Sequence, residues 1–401
     1  MDHAAAAIAA ESRKPHSSRR TWRVRGVPLD FDRNKLADVL RYHPYLRSPN
    51  EHTVENGDNR GNGVNVHTLA PDLPFLDQVA TIRFDNVPQQ LGVLESKVQV
   101  VIKLDIASEN PPTGAKRKRE SLHTVTLTID EHLEGITTLF SPSTNEHQID
   151  ILAVCGLGAH PFGSFVNKED GHMWLSDSLP RDIPAARVMI YGYKSGLQQS
   201  TNFASLSDLA SSLQIAISDI LQSKKRKRLI FIGHSLGGLL VKEALVRIAE
   251  SDFESDLLDR IVGVLLFGTP NDGMDIESLI PMVNDQPNRP LLDSLDRVNS
   301  QFLRSQKQKF SSLLSRAKFE MFCFYETQLS PTAAKDPTNG RYKMGGPLQC
   351  LVSATSATSC LPAWASSDHS IAIPRTHSDL VKFECRDFEY NKAANILKRI
   401  Q

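Results

Sequence analysis

The stretch Leu229-Ile230-Phe231-Ile232-Gly233-His234-Ser235-Leu236-Gly237-Gly238 limits this chain more than any other. Its four leading apolar residues read as a strand buried on both faces. Leu239-Leu240-Val241-Lys242-Glu243-Ala244-Leu245 reads as a helix. Between them lies Gly-x-Ser-x-Gly, a turn too tight for side chains beside the serine. Such a turn strains the serine and points its hydroxyl out of the sheet edge. The N–H of Leu236, at the start of the helix, faces the space in front of that oxygen. A bare Gly-x-Ser-x-Gly arises by chance in about one chain in ten of this length. The flanking strand and helix are therefore what make Ser235 a candidate nucleophile.

The same alternation extends on both sides. Ile149 to Val154 is a strand ending in Cys155-Gly156-Leu157-Gly158, and Arg187 to Tyr191 is the next. Ser205 to Gln222 carries Leu206, Leu209, Leu213, Ile217, Ile220 and Leu221 largely on one helical face. Ile261 to Phe267, Phe319 to Tyr325 and Leu348 to Ser353 read as further strands. Apolar strands separated by helices predict a mostly parallel sheet covered on both sides, so 148–401 is expected to be one α/β domain. The segment 272–314 interrupts that order. It holds Ile276, Leu279, Ile280, Met282, Val283, Leu291, Leu292 and Leu295, and is expected to form a helical cap over the serine.

The first part of the chain has another rhythm. Residues 1–20 read as a disordered tail. Thr21 to Val27 alternates as a strand, and Asp32 caps a helix from Arg33 to about Tyr42. A polar loop at His52 to Gly63 precedes strands at Val64 to Leu69 and Val79 to Phe84, a short helix at Gln89 to Leu94 and a strand at Lys97 to Leu104. This order predicts a small ferredoxin-like α+β domain over 21–105. Its outline resembles an RNA-recognition motif, but Gln78-Val79-Ala80-Thr81-Ile82-Arg83-Phe84 lacks the exposed aromatics that stack bases. No nucleic acid is expected as a partner. Residues 106–147, with Pro111, Pro112 and the run Lys116-Arg117-Lys118-Arg119, read as a linker, with a nuclear-localisation signal as the second reading of that run. Lys224 to Arg228 is a similar run, suited to a helix C-terminus.

The 401 residues carry a formal net charge of +0, so no global field favours nucleic acid or anionic membranes. Five cysteines without framework spacing point to an intracellular, reducing setting. A cytoplasmic location is expected. Arg13, Lys14, Arg19 and Arg20 are compatible with a mitochondrial presequence, and endoplasmic-reticulum association is also compatible. No apolar run reaches the length of a membrane helix.

A serine hydroxyl needs a base, and the base needs a third group to hold it. In the order serine, acid, histidine, only His369 and His377 of the 13 histidines follow Ser235. Both lie in loops, and both stay open on spacing alone. For the acid, Glu326 directly follows the apolar strand Met321 to Tyr325, while Asp272 and Asp275 follow the strand before it. The second oxyanion donor, beside Leu236, is expected to be the Leu157 N–H in the glycine loop. Cys155 has no sharp turn around it and is expected to be a buried packing residue. No metal and no cofactor are expected.

Several motifs occur in order: Gly156-Leu157-Gly158-Ala159-His160-Pro161, Met173-Trp174-Leu175 with Leu179-Pro180, Tyr191-Gly192-Tyr193, Gly233 to Gly238, Phe267-Gly268-Thr269-Pro270, Phe324-Tyr325-Glu326-Thr327, and His377-Ser378-Asp379 with Lys382-Phe383. Together they resemble the lipase-like α/β-hydrolases related to the serine-active-site-containing protein of phospholipid remodelling. Fungal members of that group carry an N-terminal extension like residues 21–140. The resemblance implies Ser235 as nucleophile and His377 as base, and suggests Glu326 as acid. It departs from the family at Cys155, where relatives often have histidine, and at Asn271, where histidine often follows Gly-Thr-Pro. The expected activity is hydrolysis of a carboxylic, lipid-like acyl ester by a serine esterase. Peripheral contact with a membrane is compatible with it. A hydrolase-fold interaction module without catalysis is the alternative.

Overall fold

The structure is a computed structural model that describes residues 20–46, 63–72, 76–92, 99–107, 122–221, 227–338 and 340–401. The expected tail up to residue 19, most of the loop at 52–63, and the basic residues Lys116-Arg117-Lys118-Arg119 and Lys224-Lys225-Arg226 lie outside them. The chain divides into two units, Met1–Glu131 and His132–Gln401.

The first unit runs β1 (Trp22–Val27), α1 (Arg33–Tyr42), β2 (Val64–Pro71), β3 (Gln78–Phe84), α2 (Gln89–Gly92), β4 (Val100–Ala107) and β5 (Leu122–Asp130). Asp32 caps α1 by accepting the Lys35 N–H at 2.7 Å. Trp22, Val24, Leu36, Leu40, Ile82 and Ile129 share one core. The sheet order is β2-β3-β1-β5-β4, with every pairing antiparallel. This departs from the ferredoxin-like expectation, because β5 stands between β1 and β4. It also overturns the linker at 106–147. Val125, Leu127 and Ile129 alternate with Thr124, Thr126 and Thr128, a period-2 β-branched pattern that fills a sheet position. The prolines and basic run upstream masked it.

The second unit continues with β6 (Gly135–Phe140), β7 (Ile149–Val154), α3 (Trp174–Asp177), α4 (Leu179–Asp182), β8 (Ala186–Gly192), α5 (Leu206–Leu221), β9 (Arg228–His234), α6 (Leu236–Glu250) and β10 (Ile261–Phe267). Then come α7 (Arg289–Asp293), α8 (Gln301–Leu314), β11 (Glu320–Glu326), β12 (Ser330–Lys335), β13 (Tyr342–Gln349), α9 (Ala354–Thr358), β14 (Ser370–Ile373) and α10 (Phe388–Ile400). Seven strands form one sheet in the order β14-β11-β10-β9-β7-β8-β6. Only β6, which also falls in the expected linker, runs antiparallel to its neighbour. All residues of β7 and β8 are buried, as strands covered on both faces must be. With the serine turn after central β9, this is a mostly parallel α/β-hydrolase sheet.

Two expectations change. Leu348 to Ser353 is not a strand of this sheet. Its start belongs to β13, which pairs with β12 in a separate antiparallel hairpin, and its residues are largely exposed. The outer strand is the short β14 instead. The cap is also smaller than 272–314. Helix α8 packs on α6, where Gln306 Nε2 donates to the Leu239 carbonyl at 3.1 Å, so it belongs to the helical layer. Among the described residues, no helix is long and apolar enough to cross a membrane.

One buried charge cluster ties β7 to β8. Asp150 Oδ1 accepts from His147 Nε2 at 2.8 Å and from Arg187 Nε at 2.7 Å. Burial alone would raise the Asp150 pKa. The His147 hydrogen bond and the Arg187 charge outweigh it and hold the carboxyl below its ordinary value. A lowered folded pKa gives stability that is present above the unfolded value and lost as pH falls through the folded one. Asp150→Ala removes the carboxylate to which both His147 and the 2% exposed Arg187 donate. Urea denaturation should show a loss of about 3–5 kcal/mol near neutral pH. The gap to wild type should narrow below about pH 4.

Candidate active site

The backbone at Ser235 has φ 52° and ψ −124°, a conformation that L residues rarely adopt. It joins the end of β9 to the start of α6, and the Ser235 N–H donates to the Phe267 carbonyl at 2.9 Å. The glycines have steric causes. A Cβ on Gly237 would lie 2.4 Å from the carbonyl oxygens of both Val154 and Cys155, and one on Gly233 would lie 2.6 Å from the Gly238 Cα. The helix therefore starts almost in contact with the end of β7.

Because β9, β11 and β14 run parallel, their C-terminal ends share one sheet edge. Ser235 follows β9, Glu326 ends β11 and His377 follows β14. The structure brings these three together. His377 Nε2 lies 3.0 Å from Ser235 Oγ, and His377 Nδ1 lies 2.6 Å from Glu326 Oε2. An ionised carboxylate only accepts, so Nδ1–H donates to Glu326 and Nε2 is free to accept the serine proton. Glu326 Oε1 accepts the N–H groups of Leu351 at 2.9 Å and Val352 at 3.2 Å, which fixes the carboxylate. All three side chains are buried, with Ser235 the most open at 8%.

The His377 loop is pinned on every side. Its N–H donates to Ser330 Oγ at 2.8 Å, and its carbonyl accepts from His234 Nε2 at 3.0 Å. Trp174 Nε1 donates to the Val381 carbonyl at 2.9 Å. Leu380, Val381 and Phe383 sink into the core, where Trp174 meets Phe383 edge-on with ring centroids 5.2 Å apart.

The competing residues lie elsewhere. His369 immediately precedes β14, at the opposite end of that strand, and stacks on Phe322 at 4.8 Å. Asp272 pairs with Lys307 at 2.8 Å, and Asp275 accepts the Glu277 N–H on the surface. Cys155 is fully buried, with its thiol pKa pushed up to about 12 by burial. Its carbonyl accepts the Tyr193 hydroxyl at 2.8 Å. Gly158 N–H donates to Ser195, and together these bonds hold the glycine loop beside Ser235. Among the described residues, neither the Leu157 nor the Leu236 N–H has an acceptor. No group of three or more His, Cys, Asp or Glu placed to hold a metal occurs among them.

A cavity of about 690 Å³ opens over Ser235 and His377, within the range of small-ligand sites. Met274, Leu279, Met282 and Leu295, from the reduced cap, form one wall. Met344 of the β12–β13 hairpin and Leu351 form another. Sequence reasoning missed that second wall, as well as Trp174, Ser195, Ser330 and His234 as supports. Only the isolated polar residues inside apolar motifs could have signalled them. His234 is 7% exposed, and burial together with the nearby His377 lowers its pKa to about 3. It stays neutral, with Nε2–H on the His377 carbonyl and a buried Nδ1 that has no partner among the described residues.

Residues 172–270 match the family described as Putative serine esterase (DUF676). That span includes Ser235 but neither Glu326 nor His377. The chain is 24% identical over 172 residues to Protein SERAC1 of Danio rerio, covering 40% of this chain and 25% of that protein. It thus spans about a quarter of the length of the curated relative it matches. Among solved structures, it is similar to the Bacillus licheniformis lipase BlEst2 in mature form, with 13% identity, 64% of this chain and 94% of that chain covered, and a TM-score of 0.41. It is also similar to phospholipase PlaB from Legionella pneumophila, with 14% identity, 63% and 64% covered, and a TM-score of 0.36. By their descriptions, the matched family is one of serine esterases and the two structures are a lipase and a phospholipase.

The turn makes a steric prediction. Gly237→Ala forces a methyl against two backbone carbonyls that cannot rotate away. Thermal melting should show a loss of about 1–3 kcal/mol. An unchanged melting temperature would mean that the turn has room the geometry denies it.

Proposed function

We propose that this chain is a serine esterase acting on carboxylic esters with a lipid-like acyl group. The observation that carries the reading is the relay of 3.0 Å from Ser235 to His377 and 2.6 Å from His377 to Glu326. Ser235 Oγ attacks the ester carbonyl while His377 Nε2 takes its proton. The Leu236 and Leu157 N–H groups, at a helix start and a glycine loop, hold the oxyanion as charge develops. His377 returns the proton to the leaving alcohol, then activates water against the acyl-serine. Glu326 keeps Nδ1 protonated and stabilises the imidazolium without taking the proton. The scheme uses no cofactor. The apolar cavity walls support an acyl chain, and the match to a serine esterase family supports the reaction class. Five free cysteines support an intracellular setting.

A fluorophosphonate probe should label the wild-type protein and not Ser235→Ala. Glu326→Gln should lower kcat/KM on p-nitrophenyl esters by roughly 10³–10⁴-fold, because the amide favours the wrong imidazole tautomer. Medium-chain esters should be preferred to acetate. Equal labelling of wild type and Ser235→Ala, or labelling of neither, would reduce the chain to a hydrolase fold without this chemistry.

A further inference from the structure

A second chemical cluster lies on the other face of β11 and has no part in the relay. Cys323 of β11 and Cys360, just past α9, are buried with their Sγ atoms 3.7 Å apart. Lys242 of α6 is 1% exposed on the same side of the sheet. Its Nζ donates to Asn271 Oδ1 at 2.8 Å and lies 5.2 Å from the centre of the Phe310 ring. Among the described residues, no carboxylate comes within ion-pair distance of it. A buried ammonium normally has an anion to face, and here Cys360 and Cys323, followed by Asp272, are the groups whose negative charge would favour it.

We propose that Cys323 and Cys360 form a dithiol site that reduces a hydroperoxide and closes to a disulfide. The proposal does not depend on the esterase reading. The two thiols differ in character. The hydrogen bond from Cys323, with help from the Lys242 charge, lowers the Cys360 pKa, while that same bond and burial raise Cys323 well above its ordinary value. Cys360 is 8% exposed and Cys323 fully buried, so the peroxide meets Cys360 first; Cys360 is assigned as the attacking thiolate and Cys323 as the resolving thiol. The Cys360 thiolate attacks the distal peroxide oxygen. An S–O bond forms, the O–O bond breaks, and the leaving oxygen departs with the proton that Cys360 gave up. Cys323 sulfur then attacks the sulfenic sulfur. The S–S bond forms, the S–O bond breaks, and the hydroxyl leaves as water with the Cys323 proton. Two thiols are oxidised, one hydrogen peroxide is reduced, and two waters form. The sulfurs close from 3.7 Å to about 2.05 Å in this step. The bond would tie the end of α9 to the strand that carries Glu326, and the segment between supplies the N–H groups of Leu351 and Val352 that hold that carboxylate.

The test uses the full chain and hydrogen peroxide under conditions where circular dichroism shows it folded. Unreacted thiols are alkylated after denaturation without reductant, and peptides are mapped by mass spectrometry. The expected result is a Cys323–Cys360 linked peptide and a fall from five free thiols to three. The Cys350→Ser, Cys385→Ser double variant should keep the cross-link, and Cys360→Ser should abolish it and leave Cys323 alkylatable. Lys242→Met should slow closure by about tenfold or more, while Lys242→Arg, which keeps the charge, should close near the wild-type rate. Cys323 and Cys360 both fully alkylated after peroxide, or Cys360 joined to Cys350 or to another chain instead, would overturn the proposal. Equal closure rates in the two Lys242 variants would remove the lysine from it. Fluorophosphonate labelling of Ser235 in the same samples reads the esterase site separately.

Discussion

The second unit depends on one shared direction. β7, β9, β10, β11 and β14 run parallel, so every strand delivers its following residue to the same sheet edge. Ser235, Glu326 and His377 are separated by 142 and 51 positions along the chain, measured from His377. Only the common polarity of three strands makes them neighbours. The same constraint sets His369 apart, because a residue preceding β14 emerges at the far edge whatever its chemistry.

That logic explains which parts of the site were legible in the sequence. The Ser235 turn was readable because its cause is local: an apolar strand, a helix and glycines that meet backbone. Glu326 was readable as the end of an apolar strand. Choosing between the two late histidines was not possible from spacing, because the deciding strand, β14, is four residues long and shows too little pattern. Leu348 to Ser353 drew the reading instead, yet it lies mostly on an exposed hairpin. Trp174 and Ser330 hold the His377 loop through contacts of more than 40 residues' separation. No periodicity encodes such contacts.

The first unit gives the opposite lesson. Its helix cap at Asp32 and its first four strands follow from local pattern, and their order alone suggested a four-stranded arrangement. The fifth strand was hidden by its surroundings rather than by its own residues. Alternating Val125, Leu127 and Ile129 are ordinary strand chemistry, but prolines and a block of like charges just upstream read as solvated chain. β5 therefore entered the sheet where a linker was expected, and with it the order of the sheet changed. A charged neighbour says little about whether the next nine residues can pair.

His234 has a further consequence for the electrostatics of the relay. A histidine that stays uncharged down to about pH 3 presents a dipole to the loop beside it at every physiological acidity. In the proposed mechanism, the cation formed when a proton moves onto His377 faces a neutral imidazole across a ring separation of 5.2 Å. Two adjacent imidazoles could have competed for the same proton. Burying one of them with its N–H committed to a carbonyl leaves the proposed proton transfer to the other.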